Sequence, residues 1–297
     1  MTKRELKQLM AFELSTKLKQ YGCEVNFAST VKSNDMTVES IVISGHGRVA
    51  QSIDVEWLYQ EYCCGTEIDE IVTKIVQKVV GGIPSEVEEI ANVMTDFELI
   101  KNRIFASVVN TDMNMIWLHD KPHYDIEDLS IVYHVVFNDE HHGGLMRVAI
   151  TDTIFEAWGI EAEALHRTAI NNTYDCNQAV VMPMTQKLME LTNGELDLNG
   201  SDCDCNLMVI SNKLWLYGAI HMFNADILRD AAKLLGETQL SIIPSSVHEV
   251  MVCSTNSMSI EKANQMVREV NPTIDQREVL SNHIYLYDAE ENVVRAV

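Results

Sequence analysis

From residue 122 onward the chain repeats one order of elements, strand, strand, helix, with very short connections. That rhythm constrains the fold more than any motif the chain carries. Apolar, β-branched stretches at 131–137 and 145–151 flank the turn 138–144. Helical periodicity follows through Trp158 and again over 161–171. The order returns as a hairpin over 207–210 and 214–220. A helix then starts at Asn224, with Ile227, Leu228, Ala231, Leu234 and Leu235 on one stripe and Gly236 as its stop. It returns again as 240–243, a Pro244-Ser245-Ser246 turn and 247–253, before a helix that Ser257 or Ser259 caps and Asn271-Pro272 ends. Residues 283–287 and 293–297 close the chain as a hairpin. A parallel pair needs a crossover of about a dozen residues, so neighbouring strands are expected to be antiparallel. The fold class is α+β: repeated strand-strand-helix units building mainly antiparallel sheet with flanking helices. The rhythm is architectural, because the residues themselves do not repeat closely.

The first 121 residues are patterned differently. Thr2-x-x-Glu5 is a capping box that opens a helix carrying Leu6, Leu9, Met10, Leu14 and Leu18, with Gly22 at its end. Strands are expected at 23–30 and 36–44, and a third near 49–55. Asp54 caps a short helix that ends at Gly65. Thr66-x-x-Asp69 and Ser85-x-x-Glu88 open two more, and 96–110 reads as helical. The textural break near Lys121-Pro122 gives an N-terminal α+β region, 1–121, and a C-terminal one, 122–297, or one continuous domain.

Composition narrows the function classes. The 297 residues are 46% hydrophobic, and a chain this long buries roughly three quarters of its unfolded surface. No window approaches the roughly 18 apolar residues of a membrane span. The charged start, Met1-Thr2-Lys3-Arg4-Glu5, lacks a secretory pattern. Seven cysteines without framework spacing read as reduced thiols, so a cytoplasmic location is expected. Twenty-two basic residues against 44 acidic ones give a formal charge of −22. That disfavours direct phosphate contact with nucleic acid and binding to anionic membranes. It suits solubility, or the occupation of a basic surface on another protein.

The segment from Ser241 to Val252 holds the nearest approach to a catalytic set. Ser246, His248 and Glu249 could supply nucleophile, base and orienter. Strand alternation opposes this, since His248 and Glu249 would face opposite ways. No glycine-flanked elbow surrounds the serine, and a serine in such a turn closes it through the backbone. His248-Glu249 begins like a zinc-peptidase motif, but Val252 stands where the second histidine is needed. The metal candidates are His141 and His142 in a Gly-rich turn and Cys203 and Cys205 in the run Asp202-Cys203-Asp204-Cys205. Each cluster supplies at most half of a ligand set. Ser44-Gly45-His46-Gly47 matches neither nucleotide fingerprint. No cofactor is expected.

Several passages together resemble a known family. They are Asp54-Val55-Glu56-Trp57-Leu58-Tyr59-Gln60-Glu61-Tyr62 with Gly65, Asp128-Leu129-Ser130-Ile131-Val132-Tyr133, and Trp158-Gly159-Ile160. Further on come Leu165-His166, Ala169, Asn172-Thr173, Tyr217-Gly218-Ala219, Pro244-Ser245-Ser246-Val247-His248-Glu249-Val250 and Val279-Leu280-Ser281. The chain resembles the domain-of-unknown-function 5688 family, uncharacterised proteins mainly of gut Firmicutes. It departs from the family pattern at Tyr174-Asp175-Cys176-Asn177, where a Pro-rich stretch is usual. The resemblance implies no activity, and it carries a weak association with mobile elements. The expectation is a soluble, acidic, non-catalytic binding or regulatory protein acting through protein-protein contact, as an inhibitor or accessory protein of a mobile element. Homo-oligomers are compatible with it. The alternative is a hydrolase using Ser246 and His248.

Overall fold

Every strand pair among the described residues is antiparallel, and helices flank the sheets, so the fold is α+β. The computed structural model describes residues 1–45, 50–81, 90–139, 144–192 and 207–297. They form two compact units, Met1–Phe97 and Glu98–Val297.

In the first unit the helix Lys3–Leu18 opens on the expected capping box: Thr2 Oγ1 accepts from Glu5 N and Glu5 Oε2 accepts from Thr2 N. Strands β1 (Glu24–Val31), β2 (Thr37–Ser44) and β3 (Gln51–Asp54) form one sheet in that order. Asp54 caps the helix Val55–Cys63 by accepting from Glu56 N. Leu6, Met10, Leu14 and Leu18 meet Ile41, Ile43, Leu58 and Ile71 in the core. Thr66 does not cap the helix Ile68–Val80. Its N-cap is Glu67, and the Thr66 hydroxyl donates to Glu61 Oε2 instead. The helix read from Ser85 and the residues at 46–49 lie outside the described residues.

The stretch 96–110 is not one helix. Only Phe97–Ile100 and the turn Lys101–Arg103 are helical, and Ile104–Asn110 is strand β4. Six of its seven residues are buried, so its apolar run carries neither the period of a half-exposed strand nor that of a surface helix. Strands β5 (His123–Ile126), β6 (Leu129–Asp139) and β7 (Gly144–Ala149) complete a four-stranded sheet. β4 lies along one edge of β6, while β5 and β7 follow each other along the other edge. β4 pairs with β6, and both lie in the second unit, Glu98–Val297.

The helices Asp152–Trp158 and Ala162–Cys176 follow, and the second packs on β4. A six-stranded sheet takes the rest: β8 (Ala179–Pro183), β9 (Met208–Asn212), β10 (Gln239–Pro244), β11 (Val250–Ser254), β12 (Tyr285–Asp288) and β13 (Val293–Ala296), in the order β13-β12-β10-β11-β9-β8. Helices Ala225–Leu235 and Ile260–Val270 are capped by Asn224 and Ser259. The expected hairpin partner of β9 at 214–220 is instead a loop and a 3-10 turn, Gly218–Phe223. Trp215 and Tyr217 there have φ of 54° and 56°, which ends extended backbone. β9 pairs with β8 and β11. Among the described residues no helix is long and apolar enough to cross a membrane.

Candidate functional site

Ser246, His248 and Glu249 lie in the connection between β10 and β11, not on a strand. Ser246 Oγ accepts from His248 N at 3.0 Å, and Ser246 N donates to Glu249 O. That is the local hydroxyl-to-backbone closure a serine makes in a turn. The ring of His248 points elsewhere. Its Nδ1 accepts from Tyr217 N at 3.0 Å, so the proton sits on Nε2. Nε2 lies 3.3 Å from Glu278 Oε1. The carboxylate brought to this histidine is therefore Glu278 and not Glu249. A general base needs a free lone pair facing its nucleophile, and the Nδ1 lone pair is occupied by the backbone amide.

The backbone of the same turn is latched as firmly. His248 O accepts from Gly218 N at 2.9 Å and from Ser211 Oγ at 2.8 Å. Val247 N donates to Glu278 O at 2.8 Å. A Cβ on Gly218 would lie 2.4 Å from Ser211 Oγ, 2.7 Å from Asn212 N and 2.8 Å from His248 O, so only glycine fits. Buried Asn212 shapes the preceding loop: its Oδ1 accepts from Leu214 N and Leu216 N, and its Nδ2 donates to Leu216 O.

Tyr217 connects this latch to a second cluster. The Arg147 guanidinium of β7 lies 3.5 Å from the centroid of the Tyr217 ring. Arg147 Nη2 donates to His134 Nδ1 of β6 at 3.1 Å, and Ser107 Oγ of β4 is 3.4 Å from the same nitrogen. The alternation of the sheet explains the meeting, since Ser107, His134 and Arg147 occupy one face. Burial drives the His134 ring well below the usual imidazole range, with the charges of Arg147 and Lys121 adding to it. His134 is thus a neutral acceptor. Burial likewise pushes Arg147 down to about 10.

Arg147 Nε is buried without a hydrogen-bond partner, and no ion pair to Arg147 is formed by the described carboxylates. A desolvated cation-π contact contributes about 2 kcal/mol, whereas withdrawing an ion from water costs several. The Tyr217 face therefore offsets only part of the cost, and among the described residues no carboxylate compensates the positive charge. Beside it lies a cavity of about 560 Å³ whose lining includes Arg147, Tyr217, Asn177, Phe105 and Leu216. Asn177 is fixed through its carbonyl, which accepts from the buried His221 Nε2 at 2.9 Å. Burial lowers the pKa of His221.

The weak metal candidates His141, His142, Cys203 and Cys205 lie outside the described residues. Among the described residues no group of three or more His, Cys, Asp or Glu side chains is placed to hold a metal ion.

The family model of DUF5688, a family of unknown function, matches residues 3–289. The chain belongs to this family. Comparison with curated proteins and with solved structures finds no match. In this DUF5688 member the passages that carry the resemblance meet as joints. Tyr217-Gly218-Ala219 is bonded to Val247-His248, and Glu278, just before Val279-Leu280-Ser281, holds both Val247 and His248. Asp128 accepts from Tyr285 OH and pairs with His283. Asn172 and Thr173 satisfy backbone groups of residues 101, 104 and 106. Sequence reasoning did not reach Arg147, His134, Tyr217 or Glu278 as site residues. One signal was available for Arg147, a long cation placed between Met146 and Val148 in an apolar strand.

Proposed function

We propose that this DUF5688 member is a non-catalytic binding or regulatory protein that acts through contact with another protein. The observation that carries the reading is the commitment of His248. Its Nδ1 holds Tyr217 N and its Nε2 faces Glu278, so the best catalytic candidate is spent on architecture. The charge of −22 suits a partner that presents a basic surface, and electrostatic complementarity would speed their encounter. Within this reading the protein works in the cytoplasm, binds no nucleic acid by direct phosphate contact and inserts into no membrane. Its finest form is an inhibitor or accessory protein of a mobile element.

Cross-linking the purified chain in a native lysate, followed by reconstitution with the captured protein, tests this. A defined complex is expected whose affinity falls about tenfold or more between low and high salt. Absence of a reconstitutable partner at low and moderate salt would overturn it. Light scattering on the same samples reports self-association.

A hydrolase using Ser246 and His248 remains the alternative, favoured only by the Glu278 carboxylate beside the imidazole. A serine-reactive probe whose labelling is lost in Ser246→Ala, with the fold retained, would establish it and displace the binding reading.

A further inference from the structure

We propose that the cavity beside Arg147 is a binding site for a small organic carboxylate with an apolar body. The inference is independent of the partner reading above. Its walls come from separate elements that converge: β7 supplies Arg147, the loop after β9 supplies Tyr217 and Leu216, β4 supplies Phe105, and the end of the helix Ala162–Cys176 supplies Asn177. A cavity of about 560 Å³ is in the range that holds a small-molecule ligand.

The recognition chemistry follows from how Arg147 is held. Tyr217 covers one face of the guanidinium at 3.5 Å and His134 Nδ1 accepts a hydrogen bond from its Nη2. The group is therefore oriented before any ligand arrives. No described carboxylate neutralises it, so its charge is available to an anion. A guanidinium fork and a carboxylate are both planar and pair well, and charge-assisted hydrogen bonds strengthen where water is excluded. Arg103 and Asn102 add a second cation and a neutral amide to the lining.

The remaining surface selects the rest of the ligand. Leu145, Leu214 and Leu216 line the cavity yet are 40%, 53% and 44% exposed. An apolar body would cover these side chains, which water otherwise wets. A polyanion is disfavoured, because the protein as a whole carries −22 and repels multiple negative charges. One carboxylate on an aliphatic or aromatic body meets both conditions.

Calorimetric titration of the full chain with octanoate and with phenylacetate tests the proposal against the matched neutral amides and inorganic phosphate. Saturable one-site binding of at least one carboxylate is expected, about tenfold or more tighter than its amide. Arg147→Met should abolish it. Leu216→Asp, an exposed substitution that places a negative charge at the cavity, should weaken it about tenfold or more. If Arg147→Met does not fold, the amide comparison and Leu216→Asp decide. Equal binding of acid and amide, preference for inorganic phosphate, or no binding of either carboxylate up to about 10 mM would overturn the proposal. Neither variant should alter capture of a protein partner, so failure here is separable from failure of that reading.

Discussion

The backbone amide of Tyr217 donates to Nδ1 of His248 at 3.0 Å. This bond ties the loop after β9 to the turn between β10 and β11. It also holds Tyr217 at a φ of 56°, where a bulky residue stays only if its surroundings over-determine it. The held ring then covers Arg147. A histidine that looks catalytic in sequence thus acts through a tyrosine to position an arginine.

Replacing His248 separates this role from a catalytic one. Asparagine keeps an acceptor near the Nδ1 position, whereas leucine leaves the Tyr217 amide unpaired. His248→Leu should cost about 1–2 kcal/mol and His248→Asn distinctly less, since a half-buried donor left unpaired forfeits part of its desolvation penalty. Urea unfolding of the three proteins measures the difference. Equal losses for the two variants would mean that the hydrogen bond contributes nothing.

Gly218→Ala meets a different obstacle. The new methyl would lie within 2.8 Å of one side-chain and two backbone atoms, and backbone cannot swing aside. A loss of about 2–4 kcal/mol is expected, seen as a fall in thermal midpoint. A variant as stable as the parent would show that the latch between β9 and the Ser246 turn opens readily.

The elements that sequence patterning revealed are those whose signals are local. The Thr2–Glu5 box, the caps at Asp54, Asn224 and Ser259, and the β1–β2 and β10–β11 hairpins are all satisfied within a few residues or by short connections. What escaped depends on distant partners. β4 has neither clean period because both faces are covered, and it exists through pairing with β6. The 214–220 segment carries apolar, β-prone residues, yet Asn212 and His248 hold it out of the sheet. The site residues are farther apart still: His134, Arg147, Tyr217 and Glu278 share no motif, and only tertiary structure joins them.

His134 makes stability depend on pH in a defined direction. Its ring is neutral in the fold, flanked by Ser107 of β4, Arg147 of β7, Trp117 and Tyr217, with Lys121 adding positive charge. An imidazole lowered in the folded state lets the unfolded chain bind the extra proton. Its stabilising effect is therefore complete above the unfolded value of about 6.5 and fades as pH falls below it. Comparison with His134→Gln isolates this site from the other titrations. The stability advantage of the parent over the variant should shrink between pH 7 and pH 5, by at most about 1.4 kcal/mol per pH unit. An advantage that grows on acidification would contradict a neutral, buried His134.

Asp128 gives the last prediction. From the turn before β6, its Oδ1 accepts from Tyr285 OH at 2.8 Å while its Oδ2 pairs with His283 Nε2 at 2.9 Å. It also accepts from Asn110 Nδ2 at 3.3 Å. One carboxylate thereby joins the four-stranded sheet to β12 of the six-stranded sheet. Tyr285 is raised mainly by burial, so its hydroxyl remains a donor across the working pH range. Asp128→Leu deprives a buried tyrosine hydroxyl and an imidazole of their acceptor at once, and should cost about 3 kcal/mol. Asp128→Asn retains one acceptor and should lose about half as much. Hydrogen exchange should show the leucine variant opening first at β12. Uniform loss across the second unit, with β12 no more exposed than β4, would place the importance of Asp128 elsewhere.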